Sequence, residues 1–122
     1  MQSKFSCRTS LKIPFYIIST CIMSKNIIEV AIFKLKPGVS HAEYLEKFNV
    51  VLKEFLEPIP DFISIENLWD EKAKTMLNYV TWKSMEGAKK AMEKAMNNPK
   101  VAEWFMLMQE EGQQMYHLEK IS

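Results

Sequence analysis

Residues Ile27–Lys36, IIEVAIFKLK, constrain this chain more than any other stretch. Successive side chains of a strand point to opposite faces. Ile28, Val30 and Ile32 therefore line one side, and Ala31, Phe33 and Leu35 line the other beside the single charge of Glu29. A strand with one solvated face alternates apolar and polar residues, and this one does not. Both faces of its sheet must be covered. The chain's own helices can cover one, and a second copy of the chain is the expected cover for the other.

A length of 122 residues, with 48% apolar and 25% charged residues, is enough for one domain whose core needs neither disulfide nor structural metal. The net charge is +1, with Lys and Glu interleaved and no basic block. That excludes nucleic acid as an expected partner, because clustered Lys and Arg dominate phosphate binding. Cys7 and Cys21 both precede the first strand, and the two histidines form no Cys/His cluster with metal-ligand spacing. No disulfide framework, thiol catalyst or metal site is expected.

The segment Met1–Asn26 reads as a leader, apart from a domain at 27–122. It holds Lys4, Arg8, Lys12 and Lys25, with no acidic residue before Glu29. Its apolar run Ile13–Met23 is shorter than the roughly 20 residues that span a bilayer, but has the length of a signal-peptide core. No A-x-A-like cleavage site follows it. Three readings stay open: translation starting at Met23, which makes the protein cytoplasmic, an export signal, or a segment with a folded role. In none does a stable membrane span form.

Downstream, Lys36-Pro37-Gly38 is a turn and Ser40-His41-Ala42-Glu43 has the form of a capping box. Val39 and Tyr44 occupy the hydrophobic-staple positions. Tyr44, Leu45, Phe48, Val51, Leu52, Phe55 and Leu56 make a 3.6-residue stripe, ended by Pro58 and Pro60. Phe62–Trp69 predicts a second strand with Ile63, Ile65 and Trp69 on one side, and Thr75–Trp82 a third, paired with it as a hairpin. Ser84 caps a helix whose apolar positions are Ala88, Ala91, Met92, Ala95 and Met96. Pro99–Glu111 predicts a further helix with Val101, Trp104, Phe105 and Met108 inward and Gly112 as C-cap, before a last strand, Gln113–Ile121. The order β-α-β-β-α-β predicts an α+β, ferredoxin-like fold with an antiparallel sheet.

The runs Val30–Val39 (VAIFKLKPGV), Pro60-Asp61-Phe62 and Trp82-Lys83-Ser84-Met85-Glu86 resemble the antibiotic-biosynthesis-monooxygenase-like domain of the dimeric α/β-barrel superfamily. Pro60-Asp61-Phe62 departs from the usual Pro-Gly-Phe. The resemblance spans about Ile27–Ile121 and implies a homodimer whose two sheets face each other as a barrel. It also implies a small apolar or aromatic ligand between sheet and helices. Some family members oxygenate polycyclic phenols without metal or flavin, and on that pattern no cofactor is expected. Haem-degrading members use a histidine late in the second helix, and Lys83–Gly112 contains none.

A cofactor-free oxygenase needs an apolar pocket, a base for the phenol and donors that hold the resulting anion. The ionised substrate then passes an electron to O2. His117 is the candidate base, since histidine ordinarily titrates near neutrality. It shares a strand face with Met115 and Ile121. Asn78 and Trp82 share a face of the third strand with Met76 and Val80, and a buried Asn and an indole N–H both need partners. Tyr79 points the opposite way, toward the expected barrel interface. Tyr79, Trp104 and Phe33 are the candidate substrate contacts. The rival reading is a non-catalytic dimeric binding or stress-associated protein in which these residues serve only the core.

Overall fold

β1 (Ile27–Phe33) lies inside a four-stranded antiparallel sheet of order β2-β3-β1-β4, flanked by β3 (Thr75–Trp82) and β4 (Gln114–Glu119), with β2 (Phe62–Asp70) outside β3. α1 (His41–Val51) connects β1 to β2, and α2 (Met85–Ala95) and α3 (Pro99–Phe105) connect β3 to β4. This is the expected α+β ferredoxin-like arrangement. The computed structural model describes residues 26–122. The leader reading, with Cys7 and Cys21, falls on residues 1–25, outside the described part.

The two faces of β1 separate as its pattern requires. Ile27 and Phe33 are buried under the helices. Val30, on the other face, is paired with Tyr79 and Tyr116, and Ile28 with Thr81 and Leu118. Tyr79, Tyr116, Leu118 and Leu68 are left exposed there, so one broad sheet face is largely apolar and uncovered within the single chain.

α1 starts where Ser40 Oγ accepts from the Glu43 amide at 3.1 Å. It buries Tyr44, Phe48 and Val51, spaced four and three residues apart. The stripe does not continue as α-helix to Leu56. Leu52–Leu56 is a π-helical segment, closed by a Glu57 N–H to Leu52 C=O bond of 2.9 Å. α2 is capped by Ser84, whose Oγ accepts from Gly87 N–H at 2.9 Å, and lays Gly87, Ala88 and Ala91 against the sheet. Asp61 explains the small residue at 87. Its carbonyl accepts from Lys83 N–H at 2.8 Å and its carboxylate from Ser84 Oγ at 2.9 Å. A Cβ on Gly87 would lie 2.1 Å from Asp61 Oδ2.

Six expectations need correction. A β-bulge between Phe62 and Ser64 takes Ile63 out of the alternation. Ile63 is exposed, and Asn67 joins Ile65 and Trp69 on the helix side. Met96 falls past the end of α2 and is 73% exposed. α3 stops at Phe105 rather than Glu111, and Phe105 is partly exposed, while Val101, Trp104 and Met108 are buried. The cause is the chain beyond it. Lys36 N–H donates to Leu107 C=O at 2.9 Å and Gln109 N–H to Lys34 C=O at 2.8 Å, tying this segment to the extension of β1. Gly112, at φ +79°, therefore serves the turn into β4 and not a helix cap, and β4 is shorter than expected, with Ile121 beyond it and exposed.

Candidate functional site

Between the helix side of the sheet and the helices lies a cavity of about 690 Å³. Its walls are mostly apolar: Ala31, Phe33 and Val80 from the sheet, Val51, Phe55 and Leu56 from the first helical region, and Ala88, Ala91, Val101 and Met108 from the second. Glu29, Asn78, Trp82 and Trp104 bring polar groups to it. A few polar groups in an apolar enclosure is the usual composition of a small-molecule site.

The strand register assembles the first polar group. Glu29 on β1 is paired with Val80 on β3 and with His117 on β4. Trp82 lies two residues beyond Val80, on the same face. The outcome is one shared oxygen: Glu29 Oε1 accepts from Trp82 Nε1–H at 3.0 Å and lies 3.2 Å from His117 Nε2. The Glu29 side chain is 12% exposed and that of His117 25%. Glu29 and Trp82 line the cavity, and His117 does not, so the candidate base stands behind the carboxylate.

A second network joins α1 to the sheet. Tyr44 OH donates to Asn67 Oδ1 at 2.8 Å and accepts from Asn78 Nδ2 at 3.1 Å. Asn78 Nδ2 also donates to Asn67 Oδ1, at 2.7 Å. Both N–H groups of Asn78 are thus engaged, which is how a 4% exposed amide is accommodated. Burial of the fully enclosed Tyr44 pushes the pKa of its hydroxyl up to about 12, although the Asn78 and Trp104 donors beside it pull the other way. Trp104 Nε1–H reaches no partner within hydrogen-bond geometry. It lies beside the Tyr44 hydroxyl and acts on it without a well-formed hydrogen bond.

The candidate residues thus divide. Asn78, Trp82, Trp104 and Phe33 all line the cavity. His117 meets them only through Glu29. Tyr79 is on the opposite, open face, as its strand position implied. Sequence reasoning does not single out Glu29, Asn67 or Tyr44 for the site. The available signal was a lone carboxylate on an otherwise apolar strand face. Among the described residues no group of three or more His, Cys, Asp or Glu could hold a metal ion, and no helix is long and apolar enough to cross a membrane.

No protein-family model matches the chain, and no curated protein does. Solved structures do. SnoaB from Streptomyces nogalater, described as a cofactor-independent oxygenase, superposes with a TM-score of 0.65 at 13% identity, covering 80% of this chain and 95% of its own. A Bordetella bronchiseptica protein provisionally called an antibiotic biosynthesis monooxygenase gives 0.62 at 16% identity, covering 80% and 99%. A nipsnap-family protein of unknown function from Agrobacterium tumefaciens gives 0.57 at 12% identity, covering 80% and 89%. The fold is that of the antibiotic-biosynthesis-monooxygenase-like proteins.

Proposed function

We propose that the cavity takes a small aromatic molecule with an ionisable hydroxyl, and that the protein oxygenates it with O2, the substrate supplying the electrons. The observation that carries this reading is the Glu29 carboxylate in the wall of a mostly apolar cavity of about 690 Å³, with His117 directly behind it. The description of SnoaB as a cofactor-independent oxygenase supports it. His117 is the base. Carboxylate beside neutral imidazole can take up one proton and become carboxylate beside imidazolium. Glu29 relays that proton from the cavity to His117, and Trp82 holds the relay in place.

The reaction balances without a further reagent. Loss of a proton from a polycyclic phenol, or from the ring methylene of its keto tautomer, gives one anion. That anion passes one electron to O2, leaving a substrate radical and superoxide. These combine in a C–O bond as a hydroperoxide. Return of the proton and loss of the remaining C–H hydrogen break the O–O bond and release water. The net change turns one ring methylene and one O2 into one ring carbonyl and one water. Phe33 stacks with the rings, and Asn78 and Trp104, which line the cavity, position them. The exposed apolar sheet face, Tyr79 included, is covered by a second copy of the chain, completing a homodimeric barrel.

The test is O2 consumption with a tricyclic phenol bearing such a methylene, in the presence of a chelator. Turnover by the wild type, lost in His117→Ala with the fold intact, supports the reading. A phenol that binds and is never oxidised would convert the protein to a binding module. Undiminished turnover in His117→Ala would remove the histidine from the mechanism.

A further inference from the structure

We infer that Glu29 is the specificity-determining residue of the cavity: it admits neutral aromatic molecules that can donate a hydrogen bond and rejects aromatic anions of the same shape. The inference rests on the cavity being the ligand site, as proposed above, but not on any reaction taking place there.

Three observations lead to it. Glu29 lines the cavity while His117 does not. Both of its hydrogen bonds, from Trp82 and with His117, use Oε1, so Oε2 has no partner among the described residues. Finally, the other charged residues that line the cavity, Lys36 and Glu110, are exposed and of opposite sign. The enclosed part of the cavity thus carries one formal charge, on a carboxylate with an unspent acceptor.

A carboxylate accepts hydrogen bonds only. Set in a mostly apolar wall with its side chain only 12% exposed, it favours a ligand that brings a donor and penalises one that brings a second negative charge. A ligand with neither displaces water from the acceptor and leaves it unpaired, which is how polar sites discriminate against analogues lacking a donor. The expected ligand is therefore a phenol in its neutral form, and a carboxylic acid ionised at neutral pH is excluded even where its rings fit the walls.

Isothermal titration of the full chain at pH 7, without O2, tests this with 2-naphthol, 2-naphthoate and 2-methylnaphthalene. The wild type is expected to bind the naphthol about tenfold or more tighter than either of the other two, the discrimination typical of one buried hydrogen bond or charge. In Glu29→Gln the naphthoate should gain and the gap to naphthol should close. Wild-type protein binding methylnaphthalene or naphthoate as tightly as naphthol, or no naphthol at all, overturns the inference without recourse to a variant. Unchanged preferences in Glu29→Gln overturn it too. Preference for naphthol without turnover of any phenol would keep this inference and sink the oxygenase. Turnover without the preference would do the reverse.

Discussion

Tyr44→Phe offers a test whose sign changes with pH. At neutral pH the substitution removes two hydrogen bonds, one to Asn67 and one from Asn78. The Asn78–Asn67 bond at 2.7 Å remains, so neither amide is stripped of all its partners. A net value of about 0.5–1.5 kcal/mol per bond then gives a loss of about 1.5 kcal/mol. Alkaline pH reverses the balance. A tyrosine in the unfolded chain ionises near 10, and Tyr44 in the folded protein at about 12. Below pH 10 the hydroxyl is protonated in both states and the stability is fully present. Between 10 and 12 the unfolded chain ionises first, so the folded state of the wild type is progressively disfavoured. The loss is about 1.4 kcal/mol at pH 11 and approaches about 2.7 kcal/mol above pH 12. Phenylalanine has nothing to ionise. Urea unfolding followed by tryptophan fluorescence should show the variant less stable at pH 7, equal near pH 11 and the more stable of the two at pH 12. A stability gap that stays constant across this range would refute the account of Tyr44 as a hydroxyl buried in its neutral form.

Gly87→Ala should cost about 1–3 kcal/mol, the range for overpacking, because its Cβ collides with Asp61. Ser84→Ala should cost about 1 kcal/mol for the lost cap, and the pair combined should be non-additive by urea unfolding, since both disturb Asp61. Val30→Asp, between Tyr79 and Tyr116 on the open sheet face, should convert a dimer to monomers in sedimentation velocity. A monomeric wild type would dispose of the barrel assembly. His117→Ala, discussed above, should affect turnover alone, whereas Glu29→Gln, at the residue that both relays the proton and faces the ligand, should affect turnover and ligand choice together.

Local chemistry made much of the architecture readable in advance. Ser40 and Ser84 announce two helices because a side-chain oxygen before an apolar stripe has one obvious use. The two largely apolar faces of β1, interrupted only by Glu29, mark a strand with both sides to cover, and alternation alone puts Asn78 and Trp82 on one face and Tyr79 on the other. The site was less legible for a reason of register. Glu29 is inconspicuous until β3 and β4 are aligned on either side of it, and only the three-dimensional pairing brings Trp82 and His117 to the same oxygen. Tyr44, Asn67 and Asn78 come from three different elements, and no spacing along the chain reveals their meeting. Periodicity misplaces Ile63 and Phe105 because a bulge and an early helix end are set by tertiary hydrogen bonds, which it does not contain.

The π-helical turn at Leu52–Leu56 gives the cavity wall an unusual sensitivity to chain length. Its closing bond, from Glu57 N–H to Leu52 C=O, reaches back five residues where an α-helix reaches four. One residue is therefore surplus to the α-helical count just where Phe55 and Leu56 line the cavity. Deleting a single residue there would let the segment relax to α-helix and rotate the following side chains around the axis. Pro58 and Pro60 would still terminate the helix. The shape of the cavity could thus be altered by a one-residue deletion with every lining side chain elsewhere unchanged, a route to new ligand shapes that point substitution does not provide.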